Sequence, residues 1–457
     1  MGDVAAVFKA YDVRGLVPEE LDAGLTRSIG GAFARLVRSE EPGTTSVVVA
    51  RDMRPSGGEL SAAFIDGVTA LGLDVVDIGL ASTDMLYFAS GHLGTPGAVF
   101  TASHNPAGYN GIKMCLSAAR PIGGDTGLGA MRDDVLAGPG DSDVAADAAR
   151  TGTVTTVDLL DGFADHVRSF VDVPALRPLR VVADTANGMG GLVVPAVFDA
   201  LPFDLEVLFA ELDGTFPNHP ADPIQPENLV DLRERVLATG ADVGLAFDGD
   251  ADRVFLVDEL GQPVSGTLTT ALVARSVLRR EPGATIVHNL ICGSVVPEVI
   301  AEGGGHAVRT RVGHSFIKAV MAREGAAFGG EHSGHYYFRD NWRADSGLIA
   351  ALTVLEELSA SGGTLSELLE PFDRYAASGE INARVEDPAA VIERVAQHYA
   401  GSPQDRLDGL TVEPGGWWFN LRPSNTEPLL RLNLEAADAG SCAARVAEVR
   451  TLIDGAG

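Results

Sequence analysis

Short apolar runs rich in β-branched residues recur along the chain, at 46–50, 97–101, 179–183, 242–247 and 284–288, and each breaks off at a polar or glycine-rich turn. Uninterrupted runs of this length suit strands covered on both faces, and they predict buried parallel strands. Between them, 58–71, 228–238, 267–280 and 346–359 carry helical spacing. That alternation is the pattern of open α/β sheets, whose functional loops gather at the carboxyl ends of strands. The echo of Val47-Val-Val-Ala-Arg-Asp52 in Arg180-Val-Val-Ala-Asp184 hints at repeated units. After about Tyr375 the pattern changes to strand-like segments at 379–385, 409–412 and 417–421 and an amphipathic helix at 440–453, as in a small α+β domain. The weakly patterned stretches 136–152 and 361–375 read as a linker and a second boundary.

Composition narrows the class. At 457 residues the chain is long enough for about three domains, and 46% hydrophobic with 21% charged residues excludes disorder. A formal charge of −29 repels phosphate backbones and anionic bilayers, so neither nucleic acid nor membrane is expected as a partner. There is no run of the ~18 apolar residues a membrane span needs. Residues 1–15 lack a basic segment followed by an apolar one, which predicts a cytoplasmic protein. Cys115, Cys292 and Cys442 lie far apart, against a disulfide framework or a structural zinc site. Lysine occurs only at Lys9, Lys113 and Lys318, each flanking a motif. Chance explains this, or else a need at those places for a compact, titratable ammonium that arginine cannot supply.

Four loops carry chemistry. In Thr101-Ala-Ser-His-Asn-Pro106 the Asn-Pro pair forces a change of direction and presents Ser103, expected to be exposed. A capping serine in a plain turn is the alternative. His104 alone does not make a hydrolase, because no Gly-x-Ser-x-Gly elbow is present. Asp248-Gly-Asp-Ala-Asp-Arg253 places three carboxylates at alternate positions, able to converge on one hard cation, for which Mg²⁺ fits best. An EF-hand would use Glu259 at its twelfth position. It would also need glycine where Arg253 stands, and the stretch to Asp258 reads as the second strand of a hairpin. Gly329-Gly-Glu-His-Ser-Gly-His335 alternates Glu331 with Ser333, suited to neighbouring sugar hydroxyls or simply to a tight turn. Arg422-Pro-Ser-Asn-Thr-Glu-Pro428 crowds guanidinium, hydroxyl and amide donors, as a phosphate requires, or is a loop stiffened by two prolines.

Taken together and in this order, the four loops resemble those of the α-D-phosphohexomutase superfamily, most closely its bacterial phosphomannomutase/phosphoglucomutase branch. The likeness runs from Lys9-Ala-Tyr-Asp-Val-Arg-Gly15 to Arg431, nearly the whole chain. It implies three related α/β domains with mixed sheets around a cleft plus a smaller C-terminal α+β domain, here 1–147, 148–254, 255–368 and 369–457. It also implies that Ser103 is carried as a phosphoserine and that Asp248, Asp250 and Asp252 bind one Mg²⁺ with its phosphate. Arg253 would lie beside the transferring group, and Lys113 and His314 would be the candidate bases. A lysine base would need its pKa lowered by neighbouring cations. Tyr11, Arg14 and His104 would line the same centre, Glu331, Ser333 and His335 would contact the sugar, and Arg422, Ser424, Asn425 and Thr426 would hold the distal phosphate. Where some relatives have a lysine before Cys292, this chain has Ile291, which cannot supply that charge.

The implied reaction moves a phosphoryl group between O6 and O1 of mannose or glucose through a hexose 1,6-bisphosphate that also serves as activator. The expected partners are sugar phosphates alone, bound by a monomer or homodimer. Phosphoglucosamine mutase is the rival within the superfamily, set back by Thr101 and Asn425, where that branch usually has serine and glycine. A Mg²⁺-dependent sugar phosphatase would not need a distal clamp, and a non-catalytic sensor would not need every chemical group retained. Asn187-Gly-Met-Gly-Gly191 lacks the last glycine of a dinucleotide fingerprint and reads as a tight interdomain turn.

Overall fold

The structure, a computed structural model, describes residues 4–138, 151–423 and 429–455. It divides into two compact units, Met1–Ser265 with Ser333–Leu368, and Gly266–His332 with Leu369–Gly457. Each of the five apolar runs falls on a strand, with bounds that agree to within one residue at either end.

The first unit holds two sheets. In one, the order is Val13–Leu16, Tyr109–Leu116, Gly97–Phe100, Ser46–Arg51, Asp74–Leu80 and Val154–Thr156, with Arg120–Pro121 pairing off the path onto Tyr109–Leu116. Gly97–Phe100, Ser46–Arg51 and Asp74–Leu80 run parallel, and Tyr109–Leu116 joins them antiparallel. The second sheet repeats that core: Val254–Asp258 is antiparallel to Val243–Phe247, which is parallel to Arg180–Asp184 and through it to Asp204–Leu208. In the second unit Phe328–Gly330, Thr285–Asn289 and His306–Thr310 again line up parallel, with Thr285–Asn289, the first of them in the chain, central. The sequence echo thus marks equivalent central strands, whose burial on both faces explains why their apolar runs do not alternate. Asp204–Leu208 and His306–Thr310 are edge strands whose residues, apart from the buried Thr310, are half-buried or exposed. Their apolar signal is correspondingly weak.

The C-terminal sheet is antiparallel throughout, in the order Ala376–Arg384, Leu429–Ala436, Trp417–Pro423, Leu410–Val412 and Gln404–Asp405. Helices Pro388–His398 and Ala439–Ile453 supply Val395 and Val449 to a core shared with Leu410, Phe419, Leu421 and Leu432. Of the expected linker 136–152, residues 139–150 lie outside the described residues. Within 361–375 there is a short helix, Leu365–Leu369, and the unit boundary follows Leu368. Among the described residues no single helix is long and apolar enough to cross a membrane.

Candidate active site

The strand Gly97–Phe100 delivers the serine loop at its carboxyl end, and Ser103 sits there in the left-handed region, with φ 49°. Its N–H donates to Thr101 Oγ1 at 2.9 Å. The expectation that Ser103 is exposed is corrected: the residue is only 5% exposed. Two features beyond the motif bury it. Arg54, fully buried itself, donates to the carbonyls of Ser103 (2.8 Å), Asn105 (2.6 Å), Pro106 (2.9 Å) and Tyr109 (2.9 Å). Its counter-ion is Asp52, at 3.2 Å. The other is Gly249, which lies so close that a Cβ there would stand 2.4 Å from the Ser103 carbonyl oxygen. The loop is therefore gripped by its backbone from one side and covered from the other.

What covers it is the acidic loop after Val243–Phe247. Asp248, Asp250 and Asp252 are all buried, with ligand oxygens within 4.8 Å of one another. Ser103 Oγ donates to Asp248 Oδ2 at 2.7 Å, and Arg253 Nε reaches the same oxygen at 2.8 Å. Lys113, on Tyr109–Leu116, bridges Asp250 Oδ2 (2.7 Å) and Asp252 Oδ2 (2.6 Å). Burial by itself would lower the Lys113 pKa, but the two carboxylates outweigh it and hold the ammonium well above its usual range. The neighbours are thus anions where a lysine base would need cations. Burial would likewise raise Asp250, yet Lys113 and the Thr83 hydroxyl overcome it and keep the carboxylate ionised.

Asp250 Oδ1 and Asp252 Oδ1 are buried without a hydrogen-bond partner. Bare carboxylate oxygens in an all-oxygen donor set fit a hard divalent cation. The EF-hand alternative fails on geometry: Val254–Asp258 is the second strand of a hairpin, and Glu259 is occupied by the N–H and hydroxyl of Ser366.

Other candidates gather on the same cluster. Arg253 Nη2 lies 2.7 Å from His104 Nδ1, and because a guanidinium only donates, that nitrogen is the acceptor of a neutral imidazole. Arg14 bonds Asp12 and Asn105, with Tyr11 half-buried in the bend before it. Ser333 Oγ is 3.1 Å from His335 Nδ1, and His335 Nε2 is 3.7 Å from Asp252 Oδ1.

The remaining candidates belong to the second unit. Glu331, 1% exposed, follows Phe328–Gly330 and accepts at Oε1 from Asn289 Nδ2 (3.2 Å) and the Gly313 N–H (3.1 Å). His314 opens the helix His314–Glu324, and its side chain lies outside the described residues. Ile291 is buried, in keeping with its apolar character. Arg422 pairs with Glu380 at 2.9 Å and stands directly opposite Arg431, which reaches the same carboxylate at 3.3 Å. Ser424, Asn425 and Thr426 lie outside the described residues.

Sequence reasoning missed Arg54 and Thr83, whose Oγ1 donates to Asp250 Oδ2 at 2.6 Å. The available signal for Arg54 was its place just past a buried parallel strand, Ser46–Arg51, where this fold gathers functional groups. Nothing in the local sequence marks Thr83.

Four segments match, in order, phosphoglucomutase/phosphomannomutase α/β/α domain I (5–128), domain II (161–261), domain III (265–375) and the C-terminal domain (380–452). The chain is 42% identical to the phosphohexose mutases of Xanthomonas campestris, over 98% of this chain and 99% of that protein. It is 40% identical to the phosphomannomutase of Escherichia coli over 98% of both. A crystal structure of a phosphoglucomutase/phosphomannomutase family protein from Burkholderia thailandensis, 34% identical, superimposes with a TM-score of 0.89 over 99% of this chain and 98% of that one. Ordered domains, sustained identity and a shared backbone converge on one assignment: the chain belongs to the phosphoglucomutase/phosphomannomutase family.

Proposed function

We propose that this phosphohexomutase carries its active phosphoryl group on Ser103 and exchanges it between O6 and O1 of mannose or glucose by way of a hexose 1,6-bisphosphate. The observation that carries the reading is the 2.7 Å contact of Ser103 Oγ with Asp248 inside a buried cluster of three aspartates. Asp248, Asp250 and Asp252, with an oxygen of the serine phosphate, would hold one Mg²⁺, which when bound neutralises charge on the phosphoryl oxygens. Arg253, poised beside both Ser103 and Asp248, spreads the charge that builds in transfer. Lys113, held as a cation, suits charge stabilisation, which leaves His314 to take the proton of the attacking sugar hydroxyl.

Tyr11, Arg14 and His104 line the phosphoryl centre. Glu331, Ser333 and His335 bind sugar hydroxyls, and Arg422, Ser424, Asn425 and Thr426 hold the phosphate that is not reacting. The bisphosphate must turn end for end between the two transfers. Contacts to the 3- and 4-hydroxyls serve both orientations, and none at carbon 2 is required, so mannose and glucose are both accommodated. Sugar phosphates are the only partners this chemistry needs, and the enzyme acts in the cytoplasm as a monomer or homodimer.

A coupled mutase assay with Mg²⁺ and a trace of hexose bisphosphate, offering the 1-phosphates of mannose, glucose and glucosamine, tests the proposal. Turnover of the first two and its disappearance in Ser103→Ala is the expected result. Turnover surviving in Ser103→Ala, or confined to glucosamine 1-phosphate, overturns it.

A further inference from the structure

The helix Thr83–Leu93 begins with Ser82 as its cap, the serine oxygen accepting from the Met85 N–H at 3.3 Å. The first N–H groups of a helix have no partner within it. The N–H of Thr83 finds one on the acidic loop, the carbonyl of Asp250, at 3.0 Å. The side chain of the same residue goes to the same aspartate, Thr83 Oγ1 donating to Asp250 Oδ2 at 2.6 Å, with Thr83 wholly buried. Lys113 Nζ reaches that oxygen too, at 2.7 Å. Two donors therefore converge on Oδ2, while Oδ1 of this buried carboxylate has none. The asymmetry matters: a carboxylate free to rotate could offer either oxygen, but one pinned at Oδ2 has its bare oxygen chosen for it.

We propose that Thr83 is a positioning residue for the metal site, fixing the Asp250 carboxylate so that Oδ1 remains the oxygen that meets the cation. The proposal rests on the reading of Asp248, Asp250 and Asp252 as the Mg²⁺ ligands. Lysine supplies charge at Oδ2 but on a flexible stem. Thr83, in the first turn of a buried helix and with its own N–H bound to the Asp250 carbonyl, supplies direction through its hydroxyl. Hydrogen bonds to metal-binding carboxylates commonly set affinity by about 10- to 100-fold when removed.

The test compares wild type, Thr83→Val, Thr83→Ala and Thr83→Ser by calorimetric titration with Mg²⁺ alone, alongside turnover as a function of Mg²⁺. Valine keeps the shape without the hydroxyl, and alanine presses no methyl group against the carboxylate should valine fail to fold. The expected result is a rise in the Mg²⁺ dissociation constant of about 10- to 100-fold in the valine or alanine variant. It is accompanied by recovery of much of kcat at saturating Mg²⁺ and by near wild-type affinity in the serine variant. Folded valine or alanine protein that binds Mg²⁺ as wild type does overturns the role of Thr83 while leaving the metal site intact. Wild type that takes up no Mg²⁺ overturns the metal reading itself.

Discussion

Arg54 holds Ser103 by its carbonyl oxygen, at 2.8 Å, and so fixes the serine backbone while leaving the hydroxyl to Asp248. The same guanidinium reaches three further carbonyls of the loop. Four acceptors spread across one planar fork are a geometry that an ammonium, with three donors on one atom, cannot reproduce. Arg54→Lys is expected to destabilise the fold by about 2–4 kcal/mol, since buried carbonyls and Asp52 lose their partner. It should also lower turnover well beyond what the folded fraction accounts for. Chemical denaturation together with activity per folded molecule checks both, and unchanged stability would show the fork to be dispensable.

Gly249 is a steric requirement. A Cβ placed 2.4 Å from the Ser103 carbonyl oxygen meets backbone that Arg54 holds in place, so neither side can yield cheaply. Gly249→Ala should separate the serine loop from the acidic loop and abolish turnover, with loss of about 2 kcal/mol or more in urea denaturation. Near-normal kcat in this variant would mean that the two loops need not touch.

Lys113 balances Asp250 and Asp252. Removing a buried partner leaves uncompensated charge, so Lys113→Met should lose about 3–5 kcal/mol in metal-free buffer. Because a divalent cation can supply the missing charge, Mg²⁺ should raise the melting temperature of this variant by more than it raises that of wild type. Equal shifts in differential scanning calorimetry would contradict the balance.

With Lys113 and Arg253 already against the three aspartates, the protein's own cations largely neutralise the acidic cluster. Chelation of Mg²⁺ should therefore stop turnover but move the melting temperature by no more than about 4 °C. Re-addition of Mg²⁺ should restore activity without a refolding step. Loss of secondary structure on chelation, followed by circular dichroism, would show the metal to be structural.

Asp84 offers a pH dependence whose sign follows from its surroundings. Burial pushes its pKa up to about 7, against the hydroxyls of Ser82 and Ser346, which favour the ionised form. A carboxyl that holds its proton more tightly in the folded than in the unfolded chain lowers stability as pH rises from the unfolded value toward the folded one. Above that the effect is constant. Asp84→Asn keeps a neutral group there, so its melting temperature relative to wild type should climb between about pH 4 and about pH 7 and then level off. A difference that is flat or falls over this range would place the proton elsewhere.

Much of the architecture was legible because central strands of open sheets are buried on both faces and leave apolar runs that nothing else explains, as at Ser46–Arg51 and Arg180–Asp184. Edge strands such as Asp204–Leu208, and the strand Tyr109–Leu116 with Asn110 near its start and Lys113 in its middle, carry mixed signals and escaped notice. Among the candidate site residues, the three aspartates stand out by their alternate spacing in one loop and Ser103 by the Asn-Pro turn that presents it in another. Thr83 and Arg54 did not, since each acts on a residue distant in the chain: Asp250 for one, the Ser103 loop for the other.

Local spacing was enough to name the chemical groups, the order of the loops and the repeated α/β units, because strand burial and turn chemistry are written in near neighbours. Whether Ser103 is open or enclosed, whether Lys113 faces cations or anions, and which oxygen of Asp250 stays bare were settled only by folding. Those properties depend on which distant groups come within about 3 Å of one another, and in this protein contacts such as Ser103 with Asp248, 145 residues apart, decide them.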